Sequence, residues 1–500
     1  MTRKRGQKTV SQRLTDPALV PLYRLQIQAM RQFETVVDGL VQVGEQLSDL
    51  AVAEAVQKKL LVELERAAEV RRLAAALAAR QTPDFEAWES LLLQAARQGG
   101  AGVLATLLRH WQQYAPREVI VCPCGERMRS GGRRRKGLLT TLGRLPFERS
   151  IYICESCSQG RFPDDERLDI VQTTYSPGVR RLMARAGSQS QFEQAAEDLH
   201  CYAGLRVEAR EVERVTEEVG RQLEQWLGAE QKQILHAVRT PAPAAASPAK
   251  FYISFDGTGV PMRKSELAGR RGKQTDGSAR TREAKLGCVF TQVGVDRKGR
   301  PQRDPDSTTY VGAIESSELF GWRIYAEALR RGLDQAQTVI VLTDGARCNH
   351  TIVQTHFPQA VHIVDLFHAY EHLTALAQIL WGPEAKAPKA WRDWLEAGDI
   401  PRLLRRAGQR LPTSAQSKKS MRKQLGYFEN NAPQLRYAEY REKDFFVGSG
   451  VVEAGCRTII GERLKQSGMH WSVDGANAII ALRCCILSGR LEDFWASRTP

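Results

Sequence analysis

Two short apolar runs in the second half of the chain each lead to an Asp-Gly pair. Residues 251–255 read FYISF and precede Asp256, and residues 338–342 read TVIVL and precede, after one threonine, Asp344. Such runs predict strands that are buried on both faces, as in parallel sheets. Aspartates at the carboxyl ends of neighbouring strands would meet at one edge of the sheet. An Asp-Gly pair is also a common turn signal, so either pair alone is more typical of a capped turn, and only the two pairs together with a suitable glutamate favour a site.

Strands and helices alternate around these two runs. Strands are predicted at 284–296, 307–313 and 360–367, and a helix at 318–332. No strand pattern occurs from 373 to 446, which predicts a helical insertion. The pattern as a whole predicts an α/β domain with a mixed sheet.

The chain has 500 residues, more than one hydrophobic core usually serves, so several domains are expected. The segment TPAPAAASPAK has the composition of an extended linker. The predicted fold class is multidomain α+β, with a helical N-terminal region (1–115), a zinc-ribbon-like module (116–170), a helical or helix-turn-helix module (171–238), the linker (239–250), the first part of the α/β domain (251–372), the helical insertion (373–446) and a closing helix (447–500).

The charge balance favours a polyanionic partner. The chain has 72 Lys and Arg against 57 Asp and Glu, a net charge of +15. Such an excess favours nucleic acid, although many soluble proteins are basic without binding it. No run approaches the roughly 18 apolar residues of a membrane span. We therefore expect a cytoplasmic protein without a membrane partner, associated with the nucleoid when it is bound to DNA.

Four of the ten cysteines form two close pairs. Cys122 and Cys124 give C-x-C, and Cys154 and Cys157 give C-x-x-C, at the two ends of a predicted hairpin. Disulfides are rare in the cytosol, and four thiolates are the ligand set of a closed structural zinc site. The pattern favours structural Zn²⁺ over unligated buried thiols.

Two basic stretches are candidate DNA contacts. The first lies in the loop predicted between the cysteine pairs, and the alternative for it is a merely solvated loop. The second lies between Met262 and Lys285, where eight Lys or Arg stand against three Asp or Glu. The predicted DNA-binding residues are Arg133, Arg134, Arg135, Lys136, Arg270, Arg271, Lys273, Arg280, Arg282 and Lys285.

Two helices around Gly204 could form a helix-turn-helix. The second helix carries five glutamates that would repel DNA, and it also has an apolar stripe. Packing or dimerisation through that stripe is at least as well favoured as base reading. The stripe consists of Val212, Val215, Val219 and Leu223.

Glu453 falls in the first turn of the last predicted helical stretch, after the good helix-start residue Ser449. By itself this glutamate is equally typical of an acid that interacts with the helix dipole or pairs with Arg457.

The strings SFDGTGVP, ARTREAKLG, DSTTYVG, LTDGA, HIVDLFHAYEHL, GSGVVEAGC and RLKQSGMHWS follow one another in this order. Over roughly 250 to 495 the chain thereby resembles the ISKra-type insertion-sequence transposases. The resemblance implies an RNase H-like fold with an Asp-Asp-Glu site, carried here by Asp256, Asp344 and Glu453. It also implies two Mg²⁺ or Mn²⁺ ions for cleavage and joining of DNA, with transposon ends and target DNA as partners of a homodimer or higher oligomer.

Asp365 and His368 form an Asp-x-x-His pattern that is similar to the signature of Mutator-like and hAT-like transposases. The resemblance implies that they support the site without binding the metal. The chain departs from the related pattern after Asp344, where an aromatic residue is expected and Arg347, Cys348 and Asn349 are found.

Other functions fit parts of the sequence. His368, Glu371 and His372 spell H-x-x-E-H, a zinc metalloprotease pattern, but no third ligand is apparent. A silent DNA-binding derivative and a non-transposing nuclease on the same fold are the remaining alternatives.

Overall fold

The computed structural model describes residues 85–114, 119–236, 248–272, 274 and 277–498. The chain divides into two compact units after Leu182. The helices predicted before residue 85, most of the predicted linker, and Lys273 lie outside the described residues. Residues 183–236 belong to the same unit as the sheet domain.

The first unit is built on a β-hairpin with a long helix. Leu104 and Leu108 of the helix pack against a small core that includes Leu138, Leu145 and Phe147 of the hairpin. The described elements are α1 (Phe85–Tyr114), β1 (Arg129–Thr140), β2 (Gly143–Ile153), β3 (Gly160–Arg161) and α2 (Pro163–Arg167), with the strands in the order β1-β2-β3 and all pairings antiparallel.

Three helices precede the main sheet: α3 (Pro177–Gln189), α4 (Phe192–Ala203) and α5 (Ala209–Leu235). Gly204 ends α4 in the left-handed conformation, with φ of +64°, as the predicted turn requires. The predicted apolar stripe of α5 is buried, and α5 packs on the helix α15 (Val473–Leu487). Packing within the chain therefore accounts for the stripe.

The main sheet has six strands, and those predicted from the sequence are confirmed. The central strands β4 and β8 are parallel, β8 and β9 are parallel, and β5 is antiparallel to β4, β6 and β7. The strands run in the order β6-β5-β4-β8-β9, with β7 also paired to β5. Their bounds are β4 (Lys250–Pro261), β5 (Thr281–Val295), β6 (Pro301–Arg303), β7 (Thr309–Ala313), β8 (Thr338–Thr343) and β9 (Val361–Val364).

Each face of this sheet is covered by helices, so the protein is a mixed α/β structure. Alternate residues of β4 enter different cores: Phe251, Ile253 and Phe255 enter one, and Tyr252 enters the other. The first core is completed by α6 (Ser317–Arg330) and α7 (Arg347–His356). Burial on both faces explains why β4 and β8 are apolar almost throughout.

The second core lies under the helical insertion and the closing helices. No strand interrupts residues 373–446, as the sequence predicted, and the covering helices begin already at Leu366. The elements are α8 (Leu366–Trp381), α9 (Lys389–Ala397), α10 (Ile400–Gly408), α11 (Ala415–Asn431), α12 (Tyr437–Glu442), α13 (Gly450–Gly455), a π-helical turn (Cys456–Gly461), α14 (Glu462–Leu464), α15 and α16 (Leu491–Ala496). Among the described helices, none combines the length and apolarity needed to cross a bilayer.

Candidate active site and cysteine cluster

Three aspartates lie at one edge of the main sheet. The parallel pairing of β4 with β8 ends at Ser254 opposite Leu342, and Asp256 and Asp344 each follow two residues later. Asp365 follows β9 directly, and its backbone N–H donates to the carbonyl of Thr343 at 2.8 Å. Side chains two residues apart on a strand point to the same face. Asp256 and Asp344 therefore share the face that carries the larger core.

Glu453 comes to this face from α13. Val452 and Cys456, on either side of it, belong to the same core as Tyr252 and Leu342. The helix continues into the π-helical turn, a feature that is frequent at functional sites. The sheet edge and the covering helix thus bring the three predicted acids to one region.

The electrostatics of Asp256 reflect these neighbours. Burial raises the pKa of its carboxyl group, and the negative charges of Asp344 and Glu453 raise it further. The N–H of Gly257, which donates at 2.7 Å, and the positive charge of His368 act in the opposite direction. Like charges that raise a carboxyl pKa are a feature of sites that accept a cation.

One oxygen of Asp344 is held by its own loop. The oxygen Oδ1 accepts hydrogen bonds from the N–H of Ala346 at 2.8 Å and from Nδ2 of Asn349 at 2.7 Å. Asn349 is buried, and it is one of the residues at which the chain departs from the related pattern. The departure supplies a donor that fixes the orientation of Asp344.

A buried network connects Asp365, His368 and the start of α13. Oδ1 of Asp365 accepts from the N–H of His368 at 2.7 Å and contacts its Nδ1 at 3.2 Å, while Oδ2 accepts from the N–H of Ser449. The hydroxyl of Ser449 in turn donates to Oε1 of Glu453 at 2.6 Å. Sequence reasoning identified Ser449 only as a helix start, because its contact with Asp365 depends on the tertiary fold.

The same network determines which groups are charged. The hydrogen bond with Asp365 raises the pKa of His368 to about 9 despite burial. Burial opposes ionisation of Asp365, but the bonds from His368 and Ser449 outweigh it and lower the pKa of that carboxyl group. Asp365 is thus an anion with a cationic neighbour.

Potential ligand atoms of Asp365, His368 and Glu453 lie within 4.8 Å of one another. Among the described residues, only this group and the four cysteines contain at least three candidate ligand atoms at such short mutual distances. Asp256 and Asp344 lie at the same sheet edge but outside the group. The predicted supporting pair, and neither of the other two predicted ligands, thus shares a mutually close group with Glu453 among the described residues.

The H-x-x-E-H segment does not form a joint site in this structure. Nδ1 of His372 lies 2.6 Å from Oε1 of Gln424, and its ring stacks on Tyr427 at 3.6 Å. His368 instead contacts Asp365. The two histidines have different partners, which does not favour the metalloprotease alternative.

The four predicted cysteines converge in the first unit. Sγ of Cys122 lies 3.4 Å from Sγ of Cys157, and Sγ of Cys124 lies 3.6 Å from Sγ of Cys154. Cys122 and Cys124 lie in one tight backbone turn, in which the N–H of Gly125 donates to the carbonyl of Cys122. Cys154 and Cys157 lie in another, in which the N–H of Ser158 donates to the carbonyl of Cys154. Hydrogen bonds from the N–H groups of Cys157 and Ser156 lower the pKa of Cys154 to about 7. A cluster of four sulfurs, one with a depressed pKa, can hold a structural zinc ion.

The basic run between the cysteine pairs lies in strand β1, not in the loop that was expected. Arg133, Arg134 and Arg135 are exposed there, opposite β2. Lys136 has only 8% of its side chain exposed, and its ammonium group donates to Asp165 and to the carbonyl of Ile170. The strand replaces the loop because it continues the antiparallel pairing with β2.

In the second basic stretch, Arg270, Arg271 and Arg280 are exposed on the connection between β4 and β5. Arg282 and Lys285 lie on β5, where they approach Glu266 and Glu283 respectively. These residues follow the strand that carries Asp256 and belong to the second unit.

Comparison with known proteins finds similarities at low sequence identity. The chain is 21% identical over 345 residues to the UPF0236 protein in vanSb 3'region of Streptococcus gallolyticus, covering 68% of this chain and 70% of that protein. No family model matches the chain. Among solved structures, the Drosophila P element transposase strand transfer complex matches with 7% identity and a TM-score of 0.21, covering 63% of this chain and 79% of that chain.

Proposed function

We propose that this chain is a DDE-type DNA transposase that binds the ends of an insertion sequence and catalyses metal-dependent strand cleavage and strand transfer. The observation that carries the proposal is the placement of Asp256 and Asp344 two residues beyond the last parallel pair of β4 and β8, Ser254 and Leu342, with Glu453 on the helix that covers the same face. Burial raises the pKa of Asp256, and the charges of Asp344 and Glu453 raise it further, so the three acids are close enough to interact. Carboxylates on rigid elements are the ligands that hard divalent ions prefer.

The sheet supports an RNase H-like assignment. Strand β5 is antiparallel to the central strand β4, and β8 and β9 extend the sheet on the other side in parallel. Asp344 and Asp365 directly follow the carboxyl ends of β8 and β9, and Asp256 lies in β4 just beyond its parallel pairing with β8. Sites at such strand ends are common in α/β proteins.

Asp256, Asp344 and Glu453 would hold two Mg²⁺ or Mn²⁺ ions. Bound ions of this kind supply activation of the attacking oxygen and stabilisation of the leaving oxygen. The donor set fits, because a cation would offset both the burial and the repulsion from Asp344 and Glu453 that raise the pKa of Asp256.

The remaining residues of the site orient these acids. Asn349 and the N–H of Ala346 occupy Oδ1 of Asp344, so Oδ2 is the oxygen that can face a ligand. Ser449 occupies Oε1 of Glu453 in the same way. Both oxygens of Asp365 already accept hydrogen bonds, which favours a positioning role for this residue and His368 over metal binding.

The first unit would bind DNA. A zinc ion held by the four cysteines would fix the β-hairpin whose exposed arginines, Arg133 to Arg135, contact phosphates. The connection between β4 and β5 would add Arg270, Arg271 and Arg280 beside the proposed catalytic edge. Transposition joins two DNA ends to a target, so a homodimer or higher oligomer is the expected active form.

The test is cleavage and joining of DNA that carries the element's own ends, in Mg²⁺ or Mn²⁺. Wild type is compared with Asp256→Asn, and Asp334→Asn is the matched control because Asp334 is exposed in the turn before β8, away from the site. We expect wild type and the control to cut and join and Asp256→Asn to do neither while still binding DNA. If all three bind but none cuts, the protein is a DNA-binding derivative; cutting without joining would indicate a nuclease on the same fold.

A further inference from the structure

The helical insertion carries the most one-sided charge in the second unit outside the proposed site. Between residues 400 and 431 there are eight Lys or Arg and a single acidic residue, Glu429. All eight basic residues are exposed. Four of them lie on α11 and form what we call the α11 basic face: Lys418, Lys419, Arg422 and Lys423.

The α11 basic face has the geometry of one side of a helix. Lys418 and Arg422 are four residues apart, as are Lys419 and Lys423, so each pair lies along one ridge of the helix. The opposite side of α11 is fixed by packing, since Met421 is buried in the larger core. The charges are therefore presented on a rigid element with no described residue covering them.

Local stability does not explain these residues. None of the four forms an ion pair within the described part of the chain, and the first turn of α11 has no acidic residue. Cations near the amino end of a helix are unfavourable, because they oppose the helix dipole. Mutual repulsion among these four charges opposes folding, and a bound anion would relieve it.

Helix α11 is also bonded directly to the proposed active site. The hydroxyl of Tyr427 donates to the carbonyl of Asp344 at 3.2 Å, and Nδ2 of Asn431 donates to the carbonyl of Gly345 at 3.4 Å. Lys423 precedes Tyr427 by four residues, a rise of about 6 Å along the helix. A polyanion held on the basic face would thus pass close to the sheet edge that carries Asp344.

We propose that the α11 basic face binds the phosphate backbone of duplex DNA next to the site of strand cleavage. The inference rests on the proposed function for its choice of DNA as the polyanion. Lysines dominate the face, and lysine contacts with phosphates give affinity that depends on salt and not on base sequence. The basic face would hold the DNA in place, and the hydrogen bond from Tyr427 to Asp344 would keep α11 aligned with the proposed site.

The experiment compares two triple variants of the full chain, each of which removes three positive charges. The test variant is Lys419→Gln, Arg422→Gln and Lys423→Gln. The matched control is Arg297→Gln, Lys298→Gln and Arg300→Gln, in the exposed turn between β5 and β6. Strand β5 is antiparallel to β4, with Thr291 opposite Phe251, so this turn lies beyond the amino end of β4. Asp256 lies further along β4, toward its carboxyl end. Glutamine has nearly the helix propensity of lysine, so α11 should persist, and circular dichroism checks this.

Binding of a duplex of about 30 base pairs, three turns of DNA, is measured by fluorescence anisotropy over a series of salt concentrations without added divalent metal. We expect the test variant to bind at least about tenfold more weakly than wild type, with the slope of log affinity against log salt reduced by about 3. The control variant should bind within about twofold of wild type, because its turn lies away from the proposed substrate path.

Equal duplex binding and equal salt slopes in the two variants would overturn the inference, even if wild type cuts and joins DNA. Loss of binding to single-stranded RNA or to an acidic polypeptide, with duplex binding unchanged, would overturn it as well. Failure of wild type to cleave its own ends, measured in parallel, would instead count against the proposed function and would leave the binding result standing.

Discussion

Asp365 accepts a hydrogen bond from the backbone N–H of Ser449 and so connects the end of strand β9 to the helix that carries Glu453. Asp365 is fully buried, and its other oxygen accepts from the backbone N–H of His368 and contacts the imidazole. All of these partners can act as donors toward the aspartate. A carboxylate, which has only acceptors, satisfies them together.

Asp365→Asn should therefore destabilise the protein. The carboxamide would present its own N–H₂ group to one of the donors, leaving a buried donor pair unsatisfied at a cost of about 1–3 kcal/mol. Thermal unfolding measures the loss, and DNA cleavage should fall with little change in DNA affinity. An Asn variant as stable as wild type would show that the link to Ser449 is not needed for the fold.

Asp256→Asn should have the opposite effect on stability. The pKa of Asp256 is raised by burial and by the charges of Asp344 and Glu453, so its ionised form opposes folding. Without metal, stability is then lost as the pH rises from the unfolded carboxyl pKa through the raised folded pKa, and it is regained on acidification. The Asn variant should be about 1 kcal/mol more stable at neutral pH without divalent ions and should show no stabilisation by Mg²⁺. A Tm that still rises with Mg²⁺ as in wild type would argue against Asp256 as a ligand.

The cysteine cluster predicts one zinc ion per chain. Cys154→Ser removes the thiol whose pKa is lowered to about 7 and should abolish bound zinc, measured by elemental analysis of the purified protein. Cys201→Ser is the matched control, because Cys201 is an exposed cysteine on α4 outside the cluster. Loss of zinc should expose the β-hairpin to proteolysis and leave the sheet domain resistant. Full zinc content in the Cys154 variant would contradict the four-sulfur site.

Much of the sheet could be predicted from sequence, because short apolar runs leave few alternatives to buried strands. The expected strand end at Asp256 was wrong, since β4 continues to Pro261 through its pairing with β5. The placement of Asp256 and Asp344 at one edge follows from that pattern. The contacts of Asn349 with Asp344 and of Ser449 with Asp365 could not be predicted. They join segments whose positions are set by tertiary packing.

The basic run at Arg133 shows another limit of local sequence. Its glycines and charges are typical of a loop, yet β1 continues through it because β2 offers a partner for its backbone. The apolar stripe of α5 was compatible with dimerisation or with packing. Only the tertiary structure shows that α15 lies against α5. Periodicity identifies an apolar face but not the element that covers it.

Two glycines of α5 provide a test of that packing. A Cβ atom on Gly220 would lie 2.5 Å from the carbonyl oxygen of Ala478 on α15, whereas a Cβ on Gly228 would meet nothing within 4 Å. Gly220→Ala should therefore force the helices apart and cost about 1–3 kcal/mol. Gly228→Ala should stabilise the protein by about 0.5–1 kcal/mol, because alanine restricts the unfolded chain more than glycine does. Urea unfolding of both variants measures the difference, and equal effects of the two substitutions would mean that α5 does not pack closely on α15 in solution.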